Sequence, residues 1–259
     1  MNEKIVVDID KGVAQLTLNR AIIHNAFDDS VIAELTDIID NLAQRDDVKV
    51  VVLAANGKSF SAGADASWMQ RMAKYTREQN VSDAKALATM LDKLNNLPQP
   101  TIAKVQGSAF GGGVGLVACC DIAIASNAAK FCLSEVKLGL IPATIGPYVV
   151  QAIGPRAARR YFVSAEIFSA NTALQLGLVS ELVAADALDA ACQKVIDQLL
   201  TNGPSAMRRA KLLVRHLSYR EVGAETIDYT SQQIADVRVS AEGQEGLQAF
   251  LAKRKPDWV

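Results

Sequence analysis

Residues 107–115 read Gly-Ser-Ala-Phe-Gly-Gly-Gly-Val-Gly, and no other stretch of the chain limits its fold so tightly. A strand-like run at 101–105 precedes it, and an apolar run at 114–120 follows that reads as a buried helix. Three consecutive glycines at that junction leave backbone N–H groups unshielded at a helix N-terminus, where they can point at developing negative charge. A second small-residue turn, Ser61-Ala-Gly-Ala-Asp65, lies upstream, also after a strand-like run. Two turns that each offer one N–H are what an oxyanion hole for a carbonyl oxygen requires. Tight packing explains one glycine-rich turn more readily than it explains both.

The rest of the first half alternates strand and helix signals. Residues 5–10 and 13–19 alternate apolar and polar around Asp10-Lys11-Gly12 and predict a β-hairpin. Residues 28–44 place Ile32, Leu35, Ile38, Ile39 and Leu42 on one helical face, with Asp28 or Asp29 as the cap. The β-branched run 48–54 predicts a buried strand. Helical patterns follow at 68–72 and 79–94, then strands at 101–105, 121–126 and, briefly, 130–133. Beyond 143 helices dominate, at 157–163, 172–176, 187–201, 205–216, 226–239 and 242–252, and 178–183 is the last strand-like run. The class is therefore α/β with a helical C-terminal part.

Composition removes several functions. The chain has 259 residues, half of them hydrophobic, and a net charge of -1, which gives no electrostatic case for nucleic acid. No apolar run reaches the ~18 residues of a membrane span. Two histidines exclude a multi-histidine metal site, and Cys119, Cys120, Cys132 and Cys192 match no zinc spacing, so no metal is expected. The N-terminal residues resemble neither a signal nor a transit peptide, and reduced thiols in the cytoplasm are the expectation. Gly111 to Gly115 lacks the third glycine of a dinucleotide fingerprint, which excludes a Rossmann dehydrogenase.

Six segments fall in order at the spacing of one family: Leu18-Asn-Arg-Ala-Ile-Ile-His-Asn-Ala26, Phe60-Ser-Ala-Gly-Ala-Asp65, the 107–113 turn, Cys120-Asp-Ile-Ala-Ile-Ala125, Ser134-Glu-Val-Lys-Leu-Gly-Leu-Ile-Pro142, and Glu242-Gly through Lys253-Arg-Lys-Pro256. Over essentially its whole length the chain resembles the crotonase (enoyl-CoA hydratase/isomerase) superfamily. Within it, residues 64–73 and 131–144 look like bacterial methylglutaconyl-CoA hydratases of leucine breakdown.

The resemblance implies a crotonase-type spiral of ββα units over residues 1–195 and a helical oligomerisation region over 196–259. It implies homotrimers, or hexamers built as dimers of trimers. It further implies an acyl-CoA thioester as substrate, with CoA part of that substrate and no separate cofactor. Carried over by position, the oxyanion donors are the backbone N–H groups of Ala64 and Gly112, each worth about 3–4 kcal/mol to the transition state. Ile22, Ile23 and His24 would flank CoA on one side and Ala62, Asp65 and Ala66 on the other, with Phe250 and Lys253 reaching it, in some relatives from a neighbouring subunit. Asp65 is equally a helix cap.

Relatives that hydrate enoyl thioesters grip a water between two glutamates. One is matched here by Glu135. The other, two residues after the glycine triplet, is Gly115, which has no side chain to donate or accept a proton. Either hydration runs on one glutamate, or an acid from 66–80 or 144–148 substitutes, or the reaction needs one base only. The last case suits a double-bond isomerase, whose single glutamate moves a proton from C2 to C4. A hydratase on a branched acyl-CoA is the first reading, an isomerase the second, and a non-catalytic binding protein of the same fold the third. For Glu135 the plain alternative is a surface carboxylate paired with Lys137 or Lys130. For Trp68 and Met69 the choice lies between acyl pocket and core, Tyr148 is a candidate donor to the acyl group, and Arg71, Lys74 and Arg77 are candidate partners for a second substrate carboxylate.

Overall fold

The computed structural model describes residues 3–218 and 220–259; Met1 and Asn2, where the expected first domain begins, lie outside them. Strands β1 (Ile5–Asp10) and β2 (Val13–Leu18) form the expected antiparallel hairpin. β2 then opens a parallel run through β3 (Val50–Ala55), β5 (Thr101–Val105), β7 (Ile122–Ser126) and β10 (Glu181–Val183), giving a six-stranded sheet ordered β1-β2-β3-β5-β7-β10. Parallel strands covered on both faces read as continuous apolar runs, and Val50–Ala55 is such a run.

A second sheet stands beside the first. It contains β4 (Ser59–Ser61), β6 (Ser108–Phe110), β8 (Lys130–Cys132) and β9 (Phe168–Ser169), in that order. Each long strand β3, β5 and β7 thus turns a corner into a short strand of the other sheet, and this repeat is the spiral. At the β5–β6 corner a Cβ on Gly107 would lie 2.9 Å from the Lys58 carbonyl carbon, so only glycine lets the two corners stack.

Helices fill the spaces between turns of the spiral. α1 (Asp29–Ala43) is capped by Asp28, which accepts from the N–H groups of Ser30 and Val31, and it buries Val31, Ile32, Leu35, Ile39 and Leu42. α2 (Ala66–Met72) is capped by Asp65, and α3 (Arg77–Asn95) by a reciprocal Thr76–Gln79 capping box. α4 (Gly112–Ala118) buries Gly113 through Val117 and is half-buried at its two ends. α5 (Gly146–Ser164) bends at Gly154-Pro155 and leads through β9 to α6 (Ala170–Leu176). α7 (Leu188–Leu200) lays Leu188, Cys192 and Ile196 on Val50, Val52, Ile102 and Ile124, covering the far face of the large sheet. The boundary expected after residue 195 therefore falls within a helix that packs on the sheet.

α8 (Pro204–Leu217), α9 (Ala224–Val239) and α10 (Ala241–Leu251) complete the chain. α8 and α9 bury no residue. α8 is held to the core by charge instead. Lys211 Nζ lies 2.7 Å from Asp121 Oδ2 and donates to the Gln99 carbonyl, while Arg208 reaches Asp46 and the Arg45 carbonyl. Asp121 also accepts from the Thr101 N–H, as a polar residue opening a strand is expected to do.

Candidate active site

Two turns meet at the centre of the spiral. Gly63 has a φ of +85°, and a Cβ there would stand 2.8 Å from the Phe110 carbonyl oxygen and 3.5 Å from the Gly112 nitrogen. The turn after β4 therefore lies directly against the start of α4. Gly111 adopts φ +50°, ψ −121°, which a side chain rarely allows. The three glycines face three different neighbours. A Cβ at 111 would be 3.2 Å from Glu135 Oε1, one at 112 would press into the Phe27 ring, and one at 113 would be 2.8 Å from the Ser61 carbonyl oxygen.

This packing leaves two N–H groups free. Phe27 N donates to Gly63 O at 2.9 Å, and Asp65 N donates to Phe27 O at 3.0 Å. Strand-like alternation then turns the N–H of Ala64, between them, to the opposite side. Gly112 is the first residue of α4, so its N–H has no acceptor one turn back. Neither group donates to another described residue, and both residues are half-buried.

Glu135 opens a 3-10 turn, Glu135–Leu138, just past the short strand β8. Among the described residues its buried Oε2 has no hydrogen-bond partner, Lys137 and Lys130 included. Burial pushes its carboxyl above the ordinary glutamate value, partly offset by its own backbone N–H. An unpaired, desolvated carboxylate beside a pair of free N–H groups is the arrangement of a general base.

The neighbourhood of Gly115 explains the missing second carboxylate. A Cβ at 115 would lie 2.9 Å from Ile145 Cβ and nearer still to its Cγ2. Ile145, 2% exposed, occupies the space a side chain there would need. Neither proposed substitute for the second acid is at hand. Residues 144–148 contribute Ile145 in place of a carboxylate, and the one acid of 66–80, Glu78, is exposed in the first turn of α3. Beside Glu135, Val136, Ile141, Pro142, Gly146, Phe162 and Val163 line an apolar cleft of about 500 Å³.

The other candidates divide into two groups. His24 and Ala62 are joined by an Ala62 N–H to His24 O bond of 2.9 Å, so the 22–24 and 62–66 segments form adjacent walls. Ile22 is 98% exposed, Ile23 and Ala66 are exposed, and His24 Nδ1 is 3.1 Å from Ser59 Oγ. Asp65 caps α2 through the Ser67 N–H and hydroxyl; those bonds, with Arg20 assisting against burial, hold it below the usual carboxylate value. Phe250 and Lys253 are not brought to this site within one chain: Phe250 is 81% exposed on α10 and Lys253 follows it in a left-handed conformation.

Trp68 is core, 3% exposed, with its indole N–H on Asp83. Burial first, then Cys119 and Asp92, push the Tyr148 phenol up to about 12. Arg71 pairs with Asp29. His216 stacks on Tyr229. Sequence reasoning did not single out Arg20, Asn25 or Ile145. Asn25, in a left-handed conformation, donates to the carbonyls of Asn56 and Ser59 and accepts from the Arg20 N–H, which fixes the loop before Phe27.

The sequence profile of the enoyl-CoA hydratase/isomerase family matches residues 8–259. The crystal structure of an enoyl-CoA hydratase from Shewanella pealeana is 49% identical to this chain, covers 99% of it and 96% of its own, and superposes with a TM-score of 0.96. A crotonyl-CoA hydratase of Syntrophomonas wolfei is 29% identical over 99% of this chain and 98% of its own length. A trans-2-decenoyl-(acyl-carrier-protein) isomerase of Streptococcus mutans is 28% identical over 99% of this chain and 98% of its own.

Proposed function

This chain belongs to the enoyl-CoA hydratase/isomerase family, whose members are enzymes, and on that premise we propose that it is an enoyl-CoA hydratase with Glu135 as its single acid–base group. Glu135 carries the reading, because among the described residues it is the one desolvated, unpaired carboxylate beside the two turns. The N–H groups of Ala64 and Gly112 receive the thioester oxygen and stabilise the enolate that develops there. As the water oxygen bonds to C3, Glu135 takes one proton from that water. It then delivers the same proton to C2, so hydration balances with one carboxylate.

The acyl group we assign is branched, such as 3-methylglutaconyl. The likeness of residues 64–73 and 131–144 to methylglutaconyl-CoA hydratases supports this. Lys74 and Arg77 are exposed and make no ion pair among the described residues, so they are free to meet a second carboxylate, whereas Arg71 is engaged by Asp29. CoA is part of the substrate, and no separate cofactor enters. Exposed Leu212, Ile227, Ile234 and Phe250 on α8–α10 support a trimer or a dimer of trimers. No helix among the described residues is long and apolar enough to cross a membrane, and we place the enzyme in the cytoplasm.

One observation favours a second reading. Ile145 closes the position of a second water-gripping carboxylate, which suits an isomerase that shifts a proton from C2 to C4 with Glu135 alone. A coupled ultraviolet and mass assay of wild type and Glu135→Gln separates the two. Gain of a water mass on 3-methylglutaconyl-CoA, lost in the variant, is the expected result. A double-bond shift in a linear 3-enoyl-CoA without mass change makes the protein an isomerase. Turnover of neither, with CoA esters still bound, overturns the assignment of Glu135.

A further inference from the structure

One nearly buried cation has no part in the chemistry above. The Arg20 side chain is 21% exposed, and its Nη2 lies 3.0 Å from Asp65 Oδ2. Its Nη1 donates to the Ala26 carbonyl at 2.8 Å and lies 3.4 Å from Asp28 Oδ2. The two aspartates are themselves only 14% and 11% exposed, and each caps a helix, α1 and α2 respectively. The guanidinium thus grips the residues on both sides of Phe27 and the residue that follows Ala64.

Phe27 is the element common to both oxyanion donors. Its backbone pairs with Gly63 and Asp65, which sets the direction of the Ala64 N–H, and its ring lies against Gly112, the second donor. Without the cation, two largely buried carboxylates would face each other across this pairing. Their repulsion would part residues 26–28 from 63–65. We infer that Arg20 is a positioning residue for the oxyanion hole, holding the Ala64 and Gly112 N–H groups in register through the Phe27 bridge. The inference rests on the reading that these two N–H groups receive the thioester oxygen.

A chromophoric thioester tests it directly. The absorption of 4-dimethylaminocinnamoyl-CoA moves to longer wavelength when hydrogen bonds draw electron density onto its carbonyl oxygen. Bound to wild type, the probe is expected to show that shift. Arg20→Met, which fills similar volume without charge, should still bind the probe but lose most of the shift. Its kcat should fall about 100-fold, as expected when reacting groups are misplaced by about 1 Å, with little change in KM. Arg20→Lys should recover part of both. If Arg20→Met does not fold, Asp28→Asn loosens one arm of the clamp, and a partial loss of the shift is expected. A full shift and full kcat in a folded Arg20→Met protein, or a lowered melting temperature with the shift intact, overturns the inference. Absence of the shift in wild type removes the oxyanion reading itself, and the inference with it.

Discussion

Replacing Gly115 by alanine provides a test whose sign is the informative part. In an ordinary helix interior this change gains about 1 kcal/mol, because glycine loses more backbone freedom than alanine. Here the new Cβ would lie 2.9 Å from Ile145 Cβ. Rotation about χ1 of Ile145 moves its Cγ atoms but leaves its Cβ in place, so the backbone of α4 or of the turn before α5 must shift. Overpacking of this kind costs about 1–3 kcal/mol. Gly115→Ala should therefore destabilise by up to about 2 kcal/mol, the clash minus the helix gain. Ile145→Ala retains the offending Cβ and relieves only part of the clash, whereas Ile145→Gly removes it. In the Ile145→Gly background, Gly115→Ala should stabilise by about 1 kcal/mol, which makes the coupling energy about 1–3 kcal/mol. Urea denaturation of the proteins in this cycle, at one protein concentration, measures it. A Gly115→Ala protein more stable than wild type would refute the packing of Ile145 over Gly115, and with it the account of why one carboxylate stands alone.

Three further outcomes follow from charges. As the proposed base, Glu135 must be ionised, and burial raises its pKa, so the acid limb of kcat/KM should have its midpoint above the ordinary glutamate value of 4.5. A raised carboxyl favours the protonated folded state, and that contribution is lost as pH rises through the folded pKa. Glu135→Gln should accordingly be more stable than wild type at pH 7, with the gap closing below pH 4.5, as melting temperatures across that range would register. Lys211→Met should cost about 1.5–3 kcal/mol, the usual worth of a hydrogen bond to a charged group, read from the urea midpoint. Loss of less than half of that would mean that α8 does not depend on Asp121.

Long periodic elements were legible in the sequence because their signals are local. The Ile32–Leu35–Ile39–Leu42 stripe and the Val50–Ala55 run need no partner to be recognised, and both were placed within two residues. The short strands β4, β6 and β9 were missed, since two or three residues hold no period. They are defined by stacking on one another, as at Gly107 and Lys58. α5 begins earlier than expected because Gly146-Pro147 reads as a breaker, although proline is well suited to a helix's first turn. The glycine triplet and Glu135 were visible as residue types in order. That Ile145 fills the space over Gly115, and that Arg20 joins Asp28 to Asp65, are contacts between distant segments, and residue patterns along one chain do not encode them.

The manner in which α8 is fastened bears on how the molecule comes apart. Among the described residues from Pro204 onward, Ala249 alone is buried. The segment is secured instead by Arg208 and Lys211 and by Lys49 reaching the Trp258 carbonyl, while Glu242, accepting from the Ser205 and Ala206 N–H groups, ties α10 to α8 within it. Little apolar area therefore resists its release, so its amides should exchange with deuterium well before those of β3 and β5. Dilution and added salt both act on such a fastening, the first by withdrawing any second copy that covers its apolar side and the second by screening its ion pairs. The last three helices would then open as one cooperative unit while the spiral, with Glu135 and its two N–H groups, stays closed.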